Sequence, residues 1–355
     1  MIPAWASADG PANDIVLSTR ARLARNIEGI TFPTHAKEAD LKRVADLVLD
    51  VVHGADGSSD RTGRLMVIHP SRLSEFERLS LVDARVASRR HVDGGRHRPI
   101  VLNEAGTLSL MVNEEDHLRI QCILPGLQPM AALQMAREFD ALLAGKIRYA
   151  RTDNYGYLMS SLANIGTGFR LSVMLHLAGL SFLGEAVPTL TAAAELKISI
   201  RGLFGEGTKA FGGIFQVSNE TTIGFSEKEI ASRVRAAAEH LVSREKEARR
   251  RIAADRKEEL AEAVEQVKSR VLEASVLSGK DAMVCISILR LADAFELKPS
   301  ISARDLNELL VSMRLGTSAA GGRPTDSMTD DVKRAKLLRE KISQNNGSAQ
   351  LTFLE

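Results

Sequence analysis

Apolar and polar residues alternate most regularly at Leu108, Leu110 and Val112, and again at Leu118, Ile120, Cys122 and Leu124. This predicts two strands joined through VNEEDHLRIQ, residues 112 to 121. Glu114, Glu115 and Asp116 then fall at a turn or strand end, where side chains reach a cleft. Alone, such an acidic turn reads as a solvated hairpin. Leu196, Ile198 and Ile200 alternate in the same way, giving a strand that delivers Arg201 to its end. Elsewhere the period is helical. Pro129 sits in a first turn, Leu133, Ala136, Phe139 and Leu143 share a face, and Gly145 ends the helix. After Ser226 long helices take over. Ser226 and Glu229 form a capping-box pattern before Ile230, Val234, Ala237 and Leu241, and Asp255 and Glu258 form another before Leu260, Val264, Val267 and Val271. Ser302 opens a helix carrying Leu306, Leu309, Leu310 and Met313, and residues 316 to 330 read as a flexible linker before a last short helix. Short strands mixed with helices from residue 14 to about 225 predict an α/β or α+β catalytic domain. The boundary falls near residue 250, giving domains 1–250 and 251–355, the second all helical.

With 355 residues, 44% apolar and 26% charged, the chain has the length for about two domains and a sizeable core. A net charge of +2 provides no general field for nucleic acid or a membrane surface, so neither is expected as a partner. Arg85, Arg89, Arg90, Arg96 and Arg98, with His91 and His97, stand against one acid, Asp93, and read as a mobile solvated loop around Gly94 and Gly95. Two distant cysteines, Cys122 and Cys285, fit a reducing compartment. The N-terminus lacks a basic segment followed by an apolar run, and the longest apolar stretch, 171–187, is broken by His176 and Glu185, so a cytoplasmic location is expected. Eight dispersed histidines suggest no metal site built from protein alone.

Three more segments join the acidic turn: VLSTRARLARN (16–26), GYLMSSLANIGTGFRLSVMLH (156–176) and IRGLFGEGTKAFGGIFQVSN (200–219). In this order and spacing the four resemble the phosphagen (guanidino) kinases, and within them most closely the bacterial protein arginine kinases. The resemblance is dense from residue 14 to about 250 and thin beyond. It implies an α+β chain, with a phosphagen-kinase-like catalytic domain of antiparallel sheet flanked by helices, followed by a smaller helical domain. The activity implied is ATP-dependent phosphorylation of arginine residues in proteins, with ATP and Mg²⁺.

Phosphorylating a guanidinium requires a proton to leave a group whose pKa lies above about 12. A carboxylate pair answers this, one acid orienting the planar fork and another accepting the proton. By resemblance Glu115 is the catalytic glutamate, Glu206 the second, and Asp116 and Ser161 help place the guanidinium. Phosphoryl transfer depends on positioning and charge, so the triphosphate needs fixed cations. The family's nucleotide contacts carry over to Ser18, Thr19, Arg20, Ala21 and Arg22, to Arg119, to Arg170, Leu171, Ser172, Val173 and Met174, and to Arg201, Gly202, Leu203, Phe204, Gly205 and Glu206. Arg25 could belong with them or brace the fold. No Walker-A, HRD or DFG pattern is present, so an arginine cage stands in for the usual phosphate cradle.

Three positions depart from the family. Ser161-Leu162 replaces a Cys-Pro pair, removing a thiolate, and Arg85 stands where a nucleotide-contacting histidine is usual. The phosphoarginine-binding RDxxRA motif survives only as DDVKRA (330–335), leaving Asp331 and Arg334 as an allosteric phosphoarginine candidate with weak binding expected. One alternative is a phosphagen kinase acting on a small guanidino metabolite. The expectation runs against it, since the helical N-terminal domain of those enzymes has no room before residue 14. Another is a catalytically weak adaptor that binds phosphoarginine proteins. The resemblance further implies protein substrates with exposed arginines, a homodimer through the C-terminal domain, a zinc-binding activator of the McsA type, and a Clp chaperone-protease.

Overall fold

A computed structural model describes residues 3–54, 62–194, 198–202, 211–312 and 327–347. In chain order the elements are α1 (Ala4–Ser7), β1 (Val16–Arg25), α2 (Glu38–Gly54), β2 (Leu65–Ile68), α3 (Glu75–Asp83), α4 (Arg89–Val92), β3 (Ile100–Asn103), β4 (Leu108–Val112), β5 (Leu118–Pro125) and α5 (Pro129–Ala144). There follow β6 (Arg151–Thr152), β7 (Gly156–Tyr157), β8 (Phe169–His176), α6 (Ala178–Phe182), α7 (Ala186–Ala194), β9 (Ile198–Gly202) and β10 (Ile214–Asn219). The helical remainder is α8 (Glu227–Asp255), α9 (Lys257–Glu273), α10 (Gly279–Asp293), α11 (Ala303–Ser312) and α12 (Ser327–Gly347).

Among the described residues eight strands pair, every pair antiparallel, in the order β2-β3-β4-β5-β1-β8-β10-β9. Antiparallel strands separate their two faces by strict alternation, and β1 shows why this matters. Its odd positions Ala21 and Leu23 join Ile120 and Cys122 of β5 and Leu171 and Val173 of β8 in one buried core. Phe139 and Leu143 of α5 and Ile230, Val234 and Leu241 of α8 complete it. Each fully buried Val, Leu, Ile or Phe side chain among them contributes about 1.5–3 kcal/mol. The even positions Ser18, Arg20 and Arg22 face the other way.

A second core caps one end of that other face. Trp5, Ile123, Met174 and Ile214 pack there with Leu260, Val264, Ile286, Leu289, Leu306, Leu310 and Leu338 of the C-terminal helices. Those helices therefore rest directly on the sheet.

The capping boxes at Ser226–Glu229 and Ser302–Asp305 form. The one expected at Asp255–Glu258 does not, because Asp255 closes α8 and α9 starts after Arg256 without a side-chain cap. The last helix is 21 residues long rather than short and begins inside the run read as a linker; residues 313–326 lie outside the described residues. The Arg85–Arg98 stretch is not a solvated loop throughout. Ser88 caps α4, and His91 is fully buried, its pKa pushed down to about 4 chiefly by that burial.

Candidate active site

Register assembles the site. Arg22 of β1 stands opposite Arg170 of β8 and Gln121 of β5, and Arg119 of β5 is opposite Ala24. Arg201 of β9 is opposite Gln216 of β10, which is itself opposite Met174. Strands widely separated in sequence thus place Arg20, Arg22, Arg119, Arg170 and Arg201 on one face. Arg20 Nη2 donates to Gln216 Oε1 at 3.3 Å and Arg170 Nη2 to Ser218 Oγ at 3.2 Å. The Nε–H groups of Arg22 and Arg170 are buried and find no acceptor among the described residues.

Crowding like charges away from water is unfavourable. Burial, then the guanidinia of Arg85, Arg119 and Arg170, hold Arg20 down to about 9. Arg22 is lowered strongly by burial and then by Arg20, Arg119 and Arg170, and Arg170 by burial and then by Arg201 and Arg119. Guanidinium groups are effectively always protonated in proteins, so this crowded face suits a polyanion. A cavity of about 280 Å³ opens on it, lined by Arg20, Arg85, Ser88, Arg119, Gln121 and Gln216 and, from α11, by Leu310.

The acidic turn borders this cage. Asn113 holds a left-handed φ of 61°, and its Nδ2 donates to the carbonyls of Leu41 and His97, both at 2.8 Å. Glu114 is buried and accepts from Ser88 Oγ and the Glu115 N–H, each at 2.7 Å, with Arg119 Nη1 at 2.9 Å. Although burial raises its pKa, Arg119 and these hydrogen bonds outweigh burial and leave it lowered. Glu115 is half-buried, its carbonyl accepts from Ser160 Oγ at 2.7 Å, and its carboxylate makes no hydrogen bond or ion pair to any described residue. It is the acid of the turn available to a ligand.

Asp116 differs from expectation. Its Oδ1 accepts from Asn26 Nδ2 and the Ser160 N–H, both at 2.7 Å, and it is almost fully buried, so what the structure shows it doing is bracing the turn. Ser161 precedes a short turn, Leu162–Asn164, and its neighbour Ser160 makes the contact to Glu115. Thr19, Ala21, Leu171 and Val173 face the helix-covered side of the sheet. Thr19 Oγ1 bonds the carbonyl of Gly126 at 2.7 Å and the others lie in the core, so their side chains are closed to a nucleotide. Ser18, Ser172 and Met174 share the arginine face. Met174 packs against the C-terminal helices with Arg85 Nη1 at 3.2 Å from its sulfur.

Arg25 braces the fold. It is buried, donates twice to Asp140 Oδ2 and lies 3.8 Å from the Tyr157 ring centroid. Arg201 is exposed at the end of the edge strand beside Gly202, while Leu203, Phe204, Gly205 and Glu206 lie outside the described residues. Arg334 is buried, paired with Asp331 and near the Leu277 carbonyl. Sequence reasoning placed Glu114 in the turn without giving it a role, and missed Ser88, Ser160, Gln121, Gln216 and Leu310. For Glu114 the adjacency to Glu115 was a signal; the others are joined only by the fold.

Eight antiparallel strands, an arginine-lined face and, among the described acids of the turn, an unengaged Glu115 suit a guanidino phosphotransferase site. Residues 46–248 match the family described as ATP:guanido phosphotransferase, C-terminal catalytic domain, and the chain belongs to that family. A protein-arginine kinase of Pelotomaculum thermopropionicum is 37% identical over 340 residues, covering 96% of this chain and 95% of that one. Another, of Geobacillus stearothermophilus, is 36% identical over 346 residues, covering 96% and 94%. Residues 257–351 match the protein-arginine kinase McsB C-terminal domain. The fold is also that of the duplicated taurocyamine kinase of Schistosoma mansoni (TM-score 0.57, 24% identity, 68% of this chain and 35% of that one). Lombricine kinase shares it too (TM-score 0.55, 22% identity, 69% and 71%).

Proposed function

We propose that this chain transfers the terminal phosphoryl group of ATP to arginine side chains of proteins. The carrying observation is the sheet face on which Arg20, Arg22, Arg119 and Arg170 converge, tied through the 2.9 Å Arg119–Glu114 pair to the turn that presents Glu115. The unpartnered Nε–H groups of Arg22 and Arg170 suit phosphate oxygens. Transfer forms an N–P bond as the bond from the terminal phosphorus to the bridging oxygen breaks. ADP leaves and the guanidinium proton passes to the Glu115 carboxylate. Glu206 is proposed as the second acid holding the guanidinium, with Ser161 beside it. No three His, Cys, Asp or Glu side chains gather as a metal cage among the described residues. Mg²⁺ would enter as an ion carried by the triphosphate, where it neutralises charge.

Relatives named protein-arginine kinase over nearly the whole chain support a protein substrate. A homodimer, an activator of the McsA type, delivery of marked clients to a Clp protease, a cytoplasmic location and a division of the chain near residue 250 belong to the same proposal. Among the described residues no helix is long and apolar enough to cross a membrane. The test incubates the protein with Mg-ATP and an unfolded protein and reads acid-labile phosphoarginine by mass spectrometry under non-acidic handling. Phosphate on arginine, absent without ATP, is expected; phosphate transferred only to free guanidino compounds would overturn the protein-kinase reading.

A further inference from the structure

Three loops interlock at the end of the sheet that carries Glu115. The β6–β7 hairpin meets the turn before β8 through Tyr157 N–H to the Gly166 carbonyl at 2.8 Å. That turn meets the β10–α8 loop through Thr167 N–H to the Thr222 carbonyl at 3.0 Å, with Thr222 Oγ1 donating to the Ile165 carbonyl at 2.6 Å. Packing is tight enough that Gly166, at φ +110°, leaves no room for a Cβ, which would lie 2.5 Å from the Thr222 oxygen. The three loops are hydrogen-bonded to one another, yet they present apolar side chains to solvent: Tyr155 is 59% exposed, Ile223 52% and Leu162 85%. Between the loops lies a cavity of about 510 Å³, lined by Tyr155, Tyr157, Ile223 and Phe225, by the cations Arg151 and Lys228, and by Arg137 and Glu227, which pair with each other at 3.3 Å.

Isolated exposed apolar residues need no explanation; several on interlocked loops around a cavity mark a binding surface. This one is continuous with the catalytic turn. Leu158, next to Tyr157, and Asp116 both accept from Asn26 Nδ2, at 3.1 and 2.7 Å, and Ser160 reaches the Glu115 carbonyl. Arg151 and Lys228 are exposed cations without a carboxylate partner among the described residues. We infer that this cavity is a docking subsite for the protein substrate, taking an apolar side chain of the extended segment that carries the target arginine, with an acidic neighbour on its Arg151–Lys228 rim.

The inference rests on the protein-kinase reading, and the chemistry follows from it. A guanidinium alone is common to every arginine, so selectivity must come from the flanking chain. An extended strand advances about 3.3 Å per residue, so a side chain three or four residues from the arginine reaches about 10–13 Å along the surface. Folded proteins bury their apolar side chains, so such a subsite favours unfolded segments.

The test measures binding apart from turnover. Fluorescein-labelled peptides carrying one arginine, with either Leu and Glu or Ser and Gln three and four residues away, are titrated with the full chain without nucleotide and followed by anisotropy. The Leu/Glu peptide should bind about tenfold tighter, and Tyr155→Ala and Ile223→Ser should remove most of that difference while leaving ATP affinity unchanged. Lys228→Glu should weaken the Leu/Glu peptide alone, more so at low salt. Equal binding of the two peptides, or variants that bind both as the parent does, overturns the subsite. Phosphorylation of the same peptides with ATP is scored separately: loss of transfer with retained discrimination would sink the catalytic reading and leave the subsite standing.

Discussion

At the scale of single residues, the acidic turn divides its work among three carboxylates that look alike in the sequence. Asp116 is spent on Asn26 and Ser160, and Glu114 on Ser88, Arg119 and the Glu115 N–H, while the Glu115 carboxylate has no partner among the described residues, as the proposed base requires. Glu115→Gln keeps the shape and removes the base, so kcat should fall about 10²-fold or more with ATP affinity unchanged. Steady-state transfer and nucleotide titration on the same preparation check it, and a variant with near-parental turnover removes Glu115 from the mechanism. The motif singled out Glu115 in the sequence. It could not assign its neighbours, because their partners lie far along the chain: Ser88 is 26 residues from Glu114, and Asn26 is 90 from Asp116.

Elements were legible wherever period and cap agreed, as in β4, β5, α5 and the Ser226 start of α8. Which residues of a strand reach the site was not, since matching whole segments hides the period of two. Thr19, Ala21, Leu171 and Val173 came along with their neighbours and turned out to face the helices. In α12, Asp330 stands where the related motif has its first arginine, and Arg334 is already engaged by Asp331 and the Leu277 carbonyl, joining α12 to the loop before α10. Arg334→Ala should therefore cost about 1–3 kcal/mol of stability, read from the urea midpoint. Calorimetric titration of free phosphoarginine into the full chain should show no micromolar site. Micromolar heat that disappears in Arg334→Ala would instead assign α12 a ligand.

The whole molecule adds what neither residues nor elements predict: the C-terminal helices border the site. Leu310 of α11 lines the cavity shared with Arg20, Arg85 and Arg119, and the same helix packs in the core that includes Trp5, Ile123 and Met174 from the catalytic half. Lys341 of α12 holds Asp305 of α11 at 2.5 Å, so α11 is fixed from both sides. A ligand that binds only the assembled state stabilises every part that forms its walls, by about 2.7 kcal/mol when present at about 100 times its Kd. Saturating ADP should thus slow amide hydrogen exchange in α11, residues 306–312, as well as in β1 and β8. Leu310→Ala should weaken nucleotide binding about three- to tenfold and abolish the slowing in α11 while keeping it in the strands. Leu310→Met, close in volume, should preserve both and so separate loss of the contact from loss of the fold. If α11 exchanges at the same rate with and without nucleotide, the C-terminal helices are a neighbour of the site and not one of its walls.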